Sequence, residues 1–219
     1  MPAALAALIE TLDEHGIARA HWLGYSMGGR VALNLAVAAP GRIASLILVG
    51  SSPGLTDPAD RAARRREDET LAEGLEAHEE VEDNEGDGGD GDNGITAFVD
   101  RWMASPLFAT QARLGPDFLA TARQQRLRNA PHAMALTLRG MGVGTVLPVA
   151  DRLGEIEAPV LVVAGSEDAK FVQIGQAMVS ALGAGRLAII EGSGHAVHLE
   201  APEVLGAAVE AFLAGPAVG

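Results

Sequence analysis

Gly24-Tyr25-Ser26-Met27-Gly28 sets a serine between two glycines in a G-x-S-x-G pattern. An apolar run, Ala20 to Tyr25, precedes it, and an amphipathic run, Met27 to Ala39, follows. A strand, a sharp turn and a helix in that order lift a serine hydroxyl off the end of a sheet. The turn is expected to leave no room for side chains at the glycine positions. A serine hydroxyl is inert by itself: it needs a base within hydrogen-bond reach, and the base needs an acid to orient it. The chain order that accompanies this turn is serine, acid, histidine, and two later positions supply it. Asp168 follows the apolar run Val160 to Ala164, and His195 follows Leu187 to Ile190 within Gly192-Ser193-Gly194-His195. Glu167 is the rival acid, but Asp168 fits the G-x-x-D spacing from Gly165 better. His198, three residues after His195, raises a metal reading. No carboxylate or cysteine stands near it at ligand spacing, so it is expected to pack or hydrogen-bond beside the site, and no metal is expected. His15, His21, His78 and His132 belong to no such constellation.

The surrounding elements must bring these three residues together. Leu5, Leu8, Ile9 and Leu12 give Pro2 to His15 the spacing of a helix with one buried face, ended by Gly16. Ala20 to Tyr25 reads as a short buried strand, Met27 to Ala39 as a helix stopped by Pro40-Gly41, and Ile43 to Val49 as a second buried strand. Strand, helix, strand without hairpin signals implies a parallel sheet. From Thr56 to about Thr145 there are helical stretches and no convincing strand. The α/β rhythm returns with a strand at Val160 to Ala164, a helix at Phe171 to Leu182, a strand at Leu187 to Ile190 and a helix at Pro202 to Leu213. The chain thus divides into an α/β core, 1–55 and 146–219, and a helical insert, 56–145. The insert is expected to be a lid over the site at the strand C-termini.

Composition narrows the class. The 219 residues are 48% hydrophobic, enough for one globular domain of ordinary size. There is no cysteine, which excludes disulfides and thiolate chemistry and fits a reducing cytoplasm. No apolar stretch approaches the roughly 20 residues of a membrane helix, and the N-terminus has no basic-then-apolar secretion signal. The net charge of −13 belongs to one segment: Glu67 to Asp92 holds 13 of the 29 acidic residues and no Lys or Arg, and the remainder balances 16 against 16. No basic nucleic-acid footprint exists, so neither nucleic acid nor membrane is expected as a partner. Within the insert, Glu79 to Gly94 (EEVEDNEGDGGDGDNG) has one apolar side chain in sixteen and is expected to be a disordered loop. A calcium site is the other reading of so many acids among glycines, though the spacing fits no EF-hand.

Eight segments occur in one order: G-Y-S-M-G-G-R, S-P-G-L, R-R-R-E-D, W-M-A-S-P-L-F, R-L-R-N-A-P, L-R-G-M-G-V-G, G-S-E-D-A-K-F and G-H-A-V-H-L-E. In these the chain resembles the 2-succinyl-6-hydroxy-2,4-cyclohexadiene-1-carboxylate synthases, lyases of menaquinone biosynthesis with the α/β-hydrolase fold. The resemblance runs from about Leu8 to Phe212, broken by the acidic insert. It implies a mostly parallel sheet flanked by helices, a helical lid, no cofactor, and a triad that removes a proton so that pyruvate leaves. Ser26, His195 and Asp168 would form that triad, and the backbone N–H of Met27 one arm of an oxyanion hole. Tyr25, Arg30, Arg64, Trp102 and Arg126 would bind a small polyanionic carboxylate substrate in a cytoplasmic enzyme. The arginines suit such a ligand on physical grounds too, because a guanidinium fork matches carboxylates. The plainer reading is that Arg61, Arg64, Arg65 and Arg66 solvate a helix or pair with Glu67 to Glu69. The resemblance also implies further strands before the one entering the Ser26 turn, and one of them would carry the second oxyanion donor. These N-terminal strands are absent here, which would leave Ala20 to Tyr25 as an exposed apolar edge. Two other readings stay open: a serine hydrolase acting on an ester or carbon–carbon bond, and a remnant without catalysis.

Overall fold

Ile43–Val49 and Val160–Gly165 are almost unbroken runs of β-branched and leucine side chains, the composition of strands covered on both faces. The computed structural model describes residues 1–77 and 94–215 and places both runs at the centre of a sheet. In chain order the first elements are α1 (Pro2–Glu14), β1 (Ala20–Tyr25), α2 (Met27–Ala38), β2 (Ile43–Val49), α3 (Pro58–Glu76) and α4 (Gly94–Met103). There follow α5 (Pro116–Leu127), α6 (Pro131–Met141), β3 (Val160–Gly165), α7 (Ala169–Ala181), β4 (Gly185–Ile190), α8 (Val197–Glu200) and α9 (Pro202–Ala214). They fall into two compact units, Met1–Gly54 with Pro148–Gly219, and Leu55–Leu147. Within the first unit the Val149 N–H donates to the Pro53 carbonyl at 2.8 Å, so the two stretches of that unit meet where the chain leaves it and returns.

In the first unit the sheet order is β1-β2-β3-β4, every neighbour parallel. The register pairs Tyr25 with Val49, Val49 with Val163 and Gly165 with Ile190, so the strands end side by side at one edge of the sheet. Successive side chains of a strand point to opposite faces, and the core divides accordingly. Leu46, Leu48, Val160 and Val162 pack with Leu33 and Leu35 of α2, Met178 of α7 and the apolar face of α1. Ile47, Val49, Leu161, Val163 and Ile190 pack on the other side with Val197 of α8 and Leu205 of α9. β1 is the exposed edge that the resemblance implies, and not the buried strand that its composition suggests. It has a single neighbour, and its burial alternates, with His21 exposed and Leu23 56% exposed.

Among its described residues the second unit is helical, as its pattern indicates. Asp57 starts α3 by accepting from the N–H groups of Ala59 (2.6 Å) and Asp60 (3.3 Å), with Pro58 in the first turn. Ala72 and Leu75 of α3, Ile95, Phe98 and Val99 of α4, and Ala135 of α6 form its core. Arg139 of α6 donates to Glu69 (2.7 Å) and Glu76 (2.6 Å) of α3, which joins the two helices at the surface. Of the acidic stretch read as a disordered loop or calcium site, all but Gly94 lies outside the described residues. Gly94 itself is buried as the first residue of α4, so the stretch as delimited runs one residue too far. No described helix is long and apolar enough to cross a membrane.

Candidate active site

Ser26 sits between the end of β1 and the first residue of α2 with φ 49° and ψ −108°, and it alone among described non-glycine residues has a positive φ. Such backbone costs energy and persists only where its surroundings enforce it. Here the Ser26 N–H donates to the Val49 carbonyl at 2.8 Å and the Ser51 hydroxyl donates to the Ser26 carbonyl at 2.9 Å. The glycines around the turn are not equivalent, which corrects the expectation for them. A Cβ on Gly24 would meet the Gly28 carbonyl and the Gly29 nitrogen at 2.5 Å, whereas one on Gly28 would meet nothing. The second crowded position is Gly29, where a Cβ would strike the Ser51 side chain. Sequence spacing marked Gly28 and missed Gly29 and Ser51, since nothing in the pattern shows that β2 returns beside the turn.

The turn aims Ser26 at His195. Ser26 Oγ lies 3.2 Å from His195 Nε2, and His195 Nδ1 lies 2.7 Å from Asp168 Oδ2. A carboxylate only accepts, so Nδ1 carries the proton and Nε2 is left to accept from the serine hydroxyl. His195 is 1% exposed and Asp168 9%. Asp168 also caps α7, its Oδ1 accepting from the Phe171 N–H at 3.4 Å. Glu167, the rival acid, is exposed and Asp168 makes the contact. The Phe171 ring lies 4.5 Å and the Tyr25 ring 5.3 Å from the imidazole, which limits how it tilts. Met27 is the first residue of α2, where an N–H has no partner within the helix, beside the hydroxyl that would carry the reaction.

A model of the Alpha/beta hydrolase family matches residues 2–208. A Bacillus subtilis (strain 168) protein that bears the name 2-succinyl-6-hydroxy-2,4-cyclohexadiene-1-carboxylate synthase provisionally is 35% identical over 206 residues, 94% of this chain and 70% of its own length. The Serratia proteamaculans (strain 568) protein of that name is 30% identical over 213 residues, 96% of this chain and 74% of its own. Among solved structures, MenH from S. aureus superposes with a TM-score of 0.84 at 34% identity, covering 95% of this chain and 73% of that one. The chain belongs to the 2-succinyl-6-hydroxy-2,4-cyclohexadiene-1-carboxylate synthase family of α/β hydrolases. It is an enzyme family of lyases built on a hydrolase fold, and the expectation drawn from the eight sequence segments holds.

For a member of this synthase family the positions of the other candidate residues matter. Tyr25 and Arg30 lie in the same unit as the triad. Arg30 is in the first turn of α2, partly buried, its N–H donating to the Ser26 carbonyl at 3.3 Å. Arg64, Trp102 and Arg126 belong to the helical unit. Arg64 Nε donates to Asp68 Oδ1 at 2.8 Å, and Asp68 is 2% exposed. The plainer reading of an ion-paired helix residue therefore describes Arg64, with Asp68 as partner. Arg126 Nη1 donates to the Ala122 carbonyl one turn earlier. Trp102 is 39% exposed, stacks on Phe98, meets the Phe108 ring at a tilt, and lines a cavity of about 420 Å³ with Leu71, Arg101 and Pro106. His198 packs on Tyr25 at 4.3 Å, as a packing neighbour of the site should. Burial, and then the nearby His195, hold the His198 imidazole below the usual histidine range. Among the described residues no three His, Cys, Asp or Glu side chains gather as a metal site would require.

Proposed function

We propose that this chain eliminates pyruvate from 2-succinyl-5-enolpyruvyl-6-hydroxy-3-cyclohexene-1-carboxylate, giving 2-succinyl-6-hydroxy-2,4-cyclohexadiene-1-carboxylate for menaquinone biosynthesis. The observation that carries the proposal is the hydrogen-bonded relay from Ser26 through His195 to Asp168 in a chain of this family. In the proposed reaction Ser26 Oγ, its own proton passing to His195 Nε2, removes the ring proton conjugated to the succinyl ketone. The electron pair moves onto the ketone oxygen, where the Met27 N–H donates to the developing charge. Collapse of that enolate forms the new ring double bond and breaks the carbon–oxygen bond to the enolpyruvyl group. Enolpyruvate leaves, takes up the proton held by the triad and becomes pyruvate, so one proton is removed and one returned. Asp168 keeps the imidazole in the tautomer that can accept from serine and stabilises the imidazolium.

Tyr25 and Arg30 are proposed as substrate contacts, Arg30 as the partner of a carboxylate. Arg64, Trp102 and Arg126 are proposed on the resemblance alone, and the Asp68 partner of Arg64 counts against a free role for that residue. A cytoplasmic location is part of the proposal, since it suits a free polyanionic metabolite as substrate. The same triad could serve acyl transfer, and the test separates the two. Pyruvate release from the succinyl-enolpyruvyl-cyclohexene carboxylate is measured beside hydrolysis of a short-chain aryl ester. The proposal requires pyruvate release that Ser26→Ala abolishes; rapid ester hydrolysis with no pyruvate would overturn it in favour of a hydrolase.

A further inference from the structure

Glu200 lies five residues after His195, at the end of the single turn α8, and its side chain folds back along the chain. Glu200 Oε2 accepts from the Gly194 N–H at 2.8 Å, and Oε1 accepts from the Ala196 N–H at 3.3 Å. Those are the peptide nitrogens immediately before and after His195, so one carboxylate holds the backbone on both sides of the imidazole. Its own N–H donates to the Ala196 carbonyl at 3.0 Å, which closes the loop on itself.

The rest of the His195 loop is anchored on its upstream side. The Ser193 hydroxyl donates to the Ile190 carbonyl at 2.9 Å, and the Glu167 N–H donates to the Ser193 carbonyl at 3.0 Å. The loop crosses directly over the end of β3, where a Cβ on Gly165 would strike the Ser193 and Gly194 carbonyls. Rings of Tyr25 and Phe171 constrain the tilt of the imidazole, but ring faces resist sliding poorly. The Glu200 fork supplies what is missing, a fixed position for the Cα of His195.

We propose that Glu200 is a positioning residue for the reaction, a carboxylate clamp that holds the His195 backbone so that Nε2 and Nδ1 meet Ser26 and Asp168 together. The proposal rests on the reading of Ser26, His195 and Asp168 as the catalytic relay. The chemistry demands a carboxylate. Two oxygens serve two donors, whereas glutamine offers one acceptor and turns an NH2 group on the other N–H. Aspartate, one methylene shorter, cannot span both peptides at once.

The test compares Glu200→Gln, Glu200→Asp and Glu200→Ala with the parent and with Ser26→Ala. Pyruvate release gives kcat and KM, the rate of Ser26 sulfonylation by phenylmethanesulfonyl fluoride gives activation of the serine without any substrate, and thermal denaturation gives fold. Misplacing a catalytic group by about 1 Å costs about 10²-fold, so kcat and the sulfonylation rate should fall together by about 10- to 100-fold while KM holds. Should Glu200→Ala fail to fold, the isosteric Glu200→Gln decides the matter. A folded Glu200→Gln enzyme with parental kcat and sulfonylation rate would overturn the clamp, as would a change confined to KM. Pyruvate release that survives Ser26→Ala would overturn the underlying relay instead; its loss there beside an unaffected Glu200→Gln overturns the clamp alone.

Discussion

Replacing Asp168 by Asn keeps the shape of the side chain and removes its charge, and the outcome follows from its two hydrogen bonds. Oδ2 accepts from His195 Nδ1–H at 2.7 Å and Oδ1 from the Phe171 N–H at 3.4 Å. An amide has one acceptor and one donor end, so it cannot serve both. If its oxygen keeps the helix cap, the NH2 group faces Nδ1; the imidazole proton then moves to Nε2, which can no longer accept from Ser26. If the oxygen turns to the imidazole, the tautomer survives and the cap is lost, at about 0.5 kcal/mol for so stretched a bond. The imidazolium formed in turnover is then left without a charged partner in a site where His195 is 1% exposed. A charge-assisted hydrogen bond is worth about 1.5–3 kcal/mol, or about 10- to 150-fold in rate, and the wrong tautomer in a serine triad costs about 10⁴-fold. The kcat for pyruvate release should therefore drop at least about 10-fold and by up to about 10⁴-fold, with KM and melting temperature nearly unchanged. Coupling pyruvate to lactate dehydrogenase measures it. A folded Asp168→Asn enzyme with parental kcat would refute the relay.

Ser26→Ala and His195→Ala should each cut kcat by at least about 10³-fold, and the double variant should be little worse, because triad members act as a unit; multiplicative losses would show that the two residues work separately. Arg30→Ala should lower kcat/KM for the tricarboxylate substrate by about 10- to 150-fold, the worth of a charge-assisted hydrogen bond, and Arg30→Lys should recover little, since an ammonium lacks the fork. Equal losses on a neutral aryl ester would tie Arg30 to the fold instead. Glu69 and Glu76 titrate below the usual carboxylate range because Arg139 hydrogen-bonds both, so the folded state releases their protons more readily than the unfolded chain. Their contribution to stability is full above the unfolded carboxylate value of about 4.5 and is lost as pH falls through the lower folded values. Arg139→Gln should destabilise the protein at pH 7 and flatten this acid limb in circular-dichroism melts; an unchanged limb would show that other carboxylates carry it.

The strands were legible in the sequence to the extent that two faces of each are covered. Ile43–Val49 is continuous in apolar character because helices pack on both sides of it, and its bounds as a strand agree with the reading of the run. Gly185 and Arg186 were missed at the start of β4, since a glycine and an exposed arginine carry no strand signal, yet Val160 pairs with Gly185 and Leu161 with Arg186 across the ladder. Pairing partners come from elsewhere in the chain, and a local pattern does not contain them. For the same reason β1 read as buried. Its apolar side chains match those of a central strand; the exposed edge came from the resemblance instead, and the sheet order, which gives β1 one neighbour, agrees with it.

The triad was legible for a different reason: each member sits just past a strand end, so apolar runs of known direction point to it. What positions the triad was not. Ser51, Gly29 and Glu200 act through backbone groups, and a backbone group has no letter in a sequence. The Ser26 carbonyl receives the Ser51 hydroxyl from a segment just past β2, 25 residues later, and Gly29 is small because Ser51 is there. Arg64 shows a related limit of the local pattern. Arg64 has the right type in a basic run, but its guanidinium is held by a carboxylate four residues on that is itself 2% exposed. That spacing is the ordinary geometry of neighbouring turns of a helix. Residue type narrows a site to candidates; the partner each one already has decides which of them remains available to a ligand. By that criterion Ser26 is held at its carbonyl and aimed through its hydroxyl, which is the condition for doing chemistry from a strained turn.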